Sequence, residues 1–430
     1  MQMIEPADKV ILQLLGKPKR NSEANIRYLK YTAKLSTGEG IILHNFLTGE
    51  SLFFKDDEDI KRDIEYLFEH YFFVNNDFND LKTVEELRKA FLLINQKKEI
   101  TSFKILTTTD CNARCAYCYE LGMDRVKMSP ETAGEVIRYI KHNCGNKQVT
   151  LSWFGGEPLL NSDVIDDICN GLARYGIEYS SVMTSNGYLF TPELTKKAVK
   201  LWNLKNIQIT LDGTKDNYNR IKAYIHSSDD PYKRVINNIK LLTEKGIRVN
   251  IRLNVSLDNY RDMHKLVQEL SLYYPSKEKI SVYASGLFQE TAKNSDPEGK
   301  KRLYDHLRGL TKELYRLGLA KRSRRSLKLR TSGCMADNDS HRGISPSGML
   351  MKCEHHIFTK LTGNIKEKSE DVQLLDEWKE KLDYEEICND CVVLPVCYRL
   401  KNCPVSHICT QEEKEQYIED LFSALRAYRV

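Results

Sequence analysis

From residue 104 onward the chain alternates strand-like and helix-like segments six times, and this alternation restricts its possible folds more than any other feature. Strand-like runs at 104–109, 149–154, 179–184, 207–211, 249–255 and 280–284 are followed by stretches of helical period at 129–143, 163–175, 192–202, 232–245, 260–272 and 300–317. Several helical stretches open at or after Ser, Thr, Asn or Asp, and two close near Gly176 and Gly246, as capping requires. Successive β–α units imply a parallel sheet with helices outside it. Six is too few for a closed eight-fold barrel. The expected fold class is therefore α/β, a partial (β/α)6 TIM-type barrel, with its sites at the C-terminal ends of the strands.

The flanking regions read differently. Residues 1–100 suggest strands at 26–35, 41–44 and 51–54, then helices at 56–71 and 83–95. Thr83 as N-cap with Glu86 three residues on would make a capping box for the second helix. This predicts a small N-terminal α+β module. Beyond residue 318 a basic stretch (Lys321, Arg322, Arg324, Arg325, Lys328 and Arg330) reads as a solvated linker or as a patch for an acidic partner. Residues 331–410 lose periodicity and gain cysteines, as a metal-stapled, loop-rich domain would. Residues 411–430 read as one amphipathic helix. The expected division is 1–100, 101–318 and 319–430.

The net charge of +5, from 65 Lys and Arg against 60 Asp and Glu, does not demand a nucleic-acid partner, and none is expected. No run approaches the apolar length of a membrane span, and Met1 to Pro6 lacks the basic start of a signal peptide. The expected location is cytoplasmic, without membrane association. In that reducing setting twelve cysteines argue for metal rather than disulfides. Cys144 and Cys169 stand alone in helix-like stretches and read as small core residues. The other ten fall into two groups.

Cys111-x3-Cys115-x2-Cys118 lies on the loop after the first barrel strand. Three thiolates on one short loop suit three irons of a [4Fe–4S] cubane, leaving the fourth open to a substrate or cofactor. Zinc prefers four ligands and fits this loop poorly. The run, its position and the β–α pattern resemble the radical SAM enzymes, with Tyr117 matching the family's aromatic before the third cysteine. The resemblance implies that S-adenosylmethionine chelates the open iron and is cleaved to methionine and a 5′-deoxyadenosyl radical. Gly155-Gly156-Glu157-Pro158 resembles the family's GGEP segment, which holds the methionine ammonium. Thr184-Ser185-Asn186-Gly187 resembles a stretch that contacts ribose and carboxylate, and Arg252 stands where relatives contact the carboxylate. The implied cofactor-binding residues are Tyr117, Gly155, Gly156, Glu157, Ser185 and Arg252. Asp212, in Leu211-Asp212-Gly213, either faces substrate as a catalytic group or caps the following turn.

The second group is Cys334, Cys353, Cys388, Cys391, Cys397, Cys403 and Cys409. It resembles the SPASM domain of radical SAM maturases, which holds two auxiliary [4Fe–4S] clusters. One spacing departs, with five residues between Cys397 and Cys403 where relatives usually have three. Carried over by order, Cys388, Cys391, Cys397 and Cys409 hold the outer cluster. Cys334, Cys353 and Cys403 hold the inner one, its fourth position open or taken by Asp337, Asp339 or a histidine. Taken alone, Cys388-x2-Cys391 is also half of a zinc ribbon.

Together the resemblances imply three [4Fe–4S] clusters, S-adenosylmethionine and a peptide maturase of the sactipeptide or ranthipeptide type. Such an enzyme joins a Cys sulfur to a carbon of another residue in a ribosomally made precursor. The leader would bind the N-terminal module, which resembles a winged-helix recognition domain, and a flavodoxin or ferredoxin would supply electrons. Carbon–carbon cross-linking, formylglycine formation by a sulfatase maturase, and an RNA-binding relative using the basic stretch are the alternatives.

Overall fold

The six strand–helix alternations form. In the computed structural model, which describes residues 1–20, 25–94, 99–225, 230–274, 276–291, 296–320, 327–367 and 370–426, the chain divides into two compact units. One comprises Met1–Gln96, Arg324–Asp337 and Lys379–Val430, and the other Lys97–Ser323 with Asn338–Trp378.

The first unit opens with β1 (Gln2–Glu5), α1 (Lys9–Leu15), β2 (Ile26–Tyr28), β3 (Thr32–Ser36), β4 (Ile41–Asn45) and β5 (Ser51–Phe54). It continues through α2 (Asp57–Arg62), α3 (Ile64–Glu69), β6 (Phe73–Asn75) and α4 (Asp80–Ile94). An antiparallel sheet runs β1-β5-β4-β3, and β2 pairs with β6. Two expectations are corrected here. The single helix over 56–71 is two, broken at Asp63. The expected capping box at Thr83 does not form, because α4 starts three residues earlier. Asn79 Oδ1 accepts from Lys82 N at 3.0 Å, and Thr83 Oγ1 instead donates back to Asn79 O at 2.8 Å. Returning segments complete the core: Leu327, Leu329, Leu394, Val396 and Leu425 pack with Phe46, Leu47 and Leu87. Of the basic stretch, Lys321, Arg322, Arg324 and Arg325 lie outside the described residues. Lys328 pairs with Asp8, and Arg330 donates to Gly333 O at 3.1 Å.

The second unit carries β7 (Ser102–Thr108), α5 (Pro130–Asn143), β8 (Val149–Gly155), α6 (Ser162–Arg174), β9 (Tyr179–Ser185), α7 (Pro192–Lys200) and β10 (Leu204–Leu211). Then come α8 (Lys215–Lys222), α9 (Pro231–Glu244), β11 (Arg248–Val255), α10 (Tyr260–Tyr273), β12 (Ile280–Gly286), α11 (Phe288–Thr291) and α12 (Pro297–Arg316). Strands β7 to β12 are parallel and neighbours in chain order. The helices start on side-chain caps: Ser129 accepts from Thr132 N at 3.2 Å and Thr191 from Leu194 N at 3.2 Å, each followed by a proline in the first turn. Trp153, Trp202, Ile209 and Ile251 lie in one continuous core, and Cys144 and Cys169 are buried in it as expected.

Beyond the six-strand expectation, β13 (His341–Ile344) adds to the free edge of β7 in parallel, and β14 (Met349–Met351) and β15 (Gly363–Asn364) follow antiparallel. Residues 338–378 therefore belong to the barrel unit, and the compact units do not follow the division at 318. The second unit ends with α13 (Val372–Glu377), and the first carries α14 (Glu386–Asn389) and the 16-residue α15 (Gln411–Arg426). Among the described residues no helix is long and apolar enough to cross a membrane.

Candidate functional site

Parallel strands covered on both faces are usually apolar throughout, yet here one face carries a polar stripe at every second residue. β10 contributes Asn206, Gln208 and Thr210, β11 contributes Asn250, Arg252 and Asn254, and β12 contributes Ser281, Tyr283 and Ser285. These groups bond across strands: Asn250 to Asn206 at 3.0 Å, Tyr283 to Gln208 at 2.6 Å, and Arg252 to Ser285 at 3.1 Å. This is the polar wall of a site.

The cysteine loop caps the end of β7. Thr109 N donates to Val126 O at 2.9 Å and Thr109 Oγ1 to Asp124 O at 2.6 Å, closing residues 110–123 into a loop. Arg114 N bonds Lys222 O and Ile225 N bonds Asn112 O, both at 2.8 Å, fastening the loop to the end of α8. Within it, Cys118 N donates to Cys115 O at 3.0 Å. Burial pushes the Cys111 thiol up to about 12, and Glu157, Cys115 and Cys118 oppose its ionisation further. Three mutually repelling thiolates need cations among them, and a metal centre supplies that charge. Among the described residues no three such side chains converge on a single-ion site. A cubane, which gives each thiolate its own iron, does not require that convergence.

The Gly-Gly-Glu-Pro segment lies directly against this loop. A Cβ on Gly155 would come within 2.0 Å of Thr108 O, and one on Gly156 within 2.3 Å of Asp110 O. The glycines are therefore needed for backbone contact with the loop's root. Glu157 is fully buried. Its carboxylate accepts from Ser185 Oγ at 2.9 Å, Asn186 N at 2.8 Å and Leu159 N at 3.2 Å, and burial raises its pKa to about 7. Asn186 in turn donates to Asn112 Oδ1 at 2.6 Å, so Glu157 and Ser185 brace the loop through Asn186.

Asp212 neither faces open space nor caps a turn. It is buried, accepting from Tyr117 OH at 2.6 Å and Asn254 Nδ2 at 3.1 Å, with Lys222 Nζ 2.8 Å from its other oxygen. Lys222 also donates to Thr210 Oγ1 at 2.7 Å and to Tyr117 OH at 3.2 Å. The aromatic of the cysteine loop is thus pinned to a buried ion pair. Lys222 and Asn254 escaped the sequence reading. Asn254 shares the two-residue period of Asn250 and Arg252, a usable signal, whereas Lys222 sits in a charged stretch that reads as surface.

In the first unit, Cys388, Cys391, Cys397 and Cys409 stand together. Burial raises the Cys391 thiol to about 11, with Cys397 and Cys409 adding to it. Burial also raises Cys409, with Cys397 and Cys388 adding despite Arg399. Asp337 is committed to its own loop, accepting from Ser332 Oγ at 2.8 Å and Gly333 N at 2.7 Å beneath Cys334. Cys334 and Cys403 belong to this unit and Cys353 to the other.

The Radical SAM superfamily signature matches residues 105–270. A probable GTP 3′,8-cyclase of Methanococcus aeolicus is 31% identical over 219 residues, covering 46% of this chain and 69% of that protein. The chain belongs to the radical SAM superfamily. Radical SAM cyclopropyl synthase TigE of Paramaledivibacter caminithermalis is 26% identical over 48% of this chain and 46% of its own. The chain spans about half the length of the curated relatives it matches. Among solved structures, anSMEcpe with bound AdoMet superposes with a TM-score of 0.58 at 15% identity, over 76% of this chain and 98% of that one. SuiB of Streptococcus suis bound to S-adenosylmethionine gives 0.51 at 17%, over 88% and 96%. These two likenesses establish the fold.

Radical SAM membership makes the chain an enzyme class member that uses a [4Fe–4S] cluster and S-adenosylmethionine. The residues present fit both. Three thiols share the loop, and Arg252 keeps a buried Nε without a hydrogen-bond partner beside the polar wall, a donor suited to a carboxylate.

Proposed function

We propose that the protein is a peptide maturase that installs thioether links, joining a Cys sulfur to a carbon of another residue in a ribosomally made precursor. The observation that carries this reading is the second cysteine group: four thiols gathered in the unit that also contains the N-terminal antiparallel sheet. SuiB has been solved bound to precursor peptide SuiA and anSMEcpe with the Kp18Cys peptide, so peptides are the substrate class assigned here too. Forming the link removes two hydrogens from the peptide, one as an atom and one as a proton from the thiol, and leaves one electron over. S-adenosylmethionine held at the first cysteine loop would supply the hydrogen-abstracting radical, and a cluster held by Cys388, Cys391, Cys397 and Cys409 would take the electron.

The chain's own residues have defined tasks in this reading. Cys111, Cys115 and Cys118 hold the first cluster, and Tyr117, Gly155, Gly156, Glu157 and Ser185 fix the loop that carries them. Arg252 orients the carboxylate of S-adenosylmethionine. Cys388, Cys391, Cys397 and Cys409 hold an auxiliary cluster. The sheet edges β1 and β3 accept the leader as an added strand, and a flavodoxin or ferredoxin supplies the priming electron.

The test is anaerobic reconstitution with S-adenosylmethionine, a strong reductant and a Cys-bearing candidate precursor peptide. The expected result is 5′-deoxyadenosine together with a peptide lighter by two hydrogens per link, its cysteine closed to alkylation. Formylglycine in the peptide, or a product from GTP instead, would overturn the reading.

A further inference from the structure

Two guanidinium groups surround the four-cysteine group, and neither pairs with a carboxylate among the described residues. Arg88, on α4, is 1% exposed. It donates to Arg330 O at 3.1 Å, Pro395 O at 3.0 Å and Cys397 O at 2.7 Å, and to the Tyr384 hydroxyl. Arg399 donates through Nη2 to Cys409 Sγ at 3.0 Å and through Nη1 to His407 O. Burying a cation such as Arg88 without an anion is costly, and Arg399 is half-buried beside the same cysteines. A cluster held by four thiolates carries net negative charge, and it would supply the missing counter-charge.

We infer that Arg399 is a positioning residue that raises the reduction potential of the cluster held by Cys388, Cys391, Cys397 and Cys409, while Arg88 fixes the 391–397 loop and adds a second counter-charge. The inference rests on the reading that these four cysteines hold a [4Fe–4S] cluster. Reduction adds one electron and one negative charge to the cluster. A charged N–H donor on a ligating sulfur stabilises the more negative state, a recognised lever on such potentials.

The experiment uses the full chain with Cys111, Cys115 and Cys118 changed to Ala, reconstituted with iron and sulfide. Iron is counted and the protein titrated by EPR against redox mediators. The relevant signal is the one lost in a further Cys391→Ser variant. Arg399→Gln is expected to keep the iron and to lower the reduced-to-oxidised ratio at fixed potential about tenfold, about 59 mV for one electron. Arg399→Lys is expected to shift less, in the same direction, because a point charge replaces the planar fork. An unchanged potential in Arg399→Gln with iron intact overturns the inference and leaves the cluster reading standing. Should Arg399→Gln hold no iron at this site, Arg399→Lys carries the test, and no shift there overturns the inference. Unchanged iron in Cys391→Ser overturns the reading itself.

Discussion

The ion pair between Asp212 and Lys222 is the most consequential contact at the scale of single residues, because both side chains are buried and Tyr117 of the cysteine loop hangs from it. Removing one partner of a buried pair strands the other charge, at a cost of about 3–5 kcal/mol. Lys222→Met is therefore expected to lower unfolding stability by about that much. Lys222→Met combined with Asp212→Asn is expected to recover part of it, since no net charge is then left buried. Denaturant unfolding of the three proteins checks this, and equal stability of single and double variants would contradict it. Asp212 was legible in the sequence as a carboxylate at the end of a barrel strand. Its partner was not, because the charged residues of 215–222 carry no apolar pattern of their own and only tertiary packing buries one of them.

At the scale of elements, the barrel strands were legible because β-branched runs alternate with capped helices, and the structure returns them within a few residues. The seventh parallel strand, β13, was not. It spans only His341–Ile344, begins with His and Arg, and owes its place to the free edge of β7 rather than to its own pattern. The GGEP segment was legible as a motif, but its packing adds the reason for the glycines. Gly156→Ala forces a Cβ against Asp110 O, so the strand end and the loop root must separate. The expected outcome is a chain that folds its sheet yet takes up less iron at Cys111, Cys115 and Cys118. Iron content measured against a Gly16→Ala control, where a Cβ meets nothing within 4 Å, checks this; Gly16 also has a positive φ of 73°, so that control carries backbone strain without a clash.

At the scale of the molecule, the first unit is assembled from three separated stretches of chain, and His44 is one of its fasteners. Its ring is fully buried between Ser51 Oγ and Leu327 O, each at 2.7 Å, and burial lowers its pKa from the ordinary 6.5 to about 4. The unfolded chain therefore binds a proton first as the pH falls. The stability that His44 contributes is complete above pH 6.5 and disappears between 6.5 and 4. Urea unfolding should show a loss of about 2 kcal/mol between pH 7 and pH 5. A His44→Gln variant should lose that share of the slope and keep the share of buried His341, whose pKa burial lowers to about 3; equal slopes would remove His44 from the account.

Placing the cysteines in two units makes a further prediction about the whole enzyme. Cys111, Cys115 and Cys118 sit on a barrel loop, whereas Cys388, Cys391, Cys397 and Cys409 belong to the unit built on the N-terminal sheet. A variant in one group should leave the other's local packing intact, because each set is held by its own hydrogen bonds. Under the proposed reading, Cys115→Ala is expected to abolish 5′-deoxyadenosine release while iron at the second cysteine group stays, and Cys353→Ala to spare uncoupled release and stop product formation. Iron content and nucleoside release measured on the same preparations separate the two effects. Loss of all iron in Cys115→Ala would mean that the groups assemble as one, and the division of labour between hydrogen abstraction and electron uptake would then fall with it.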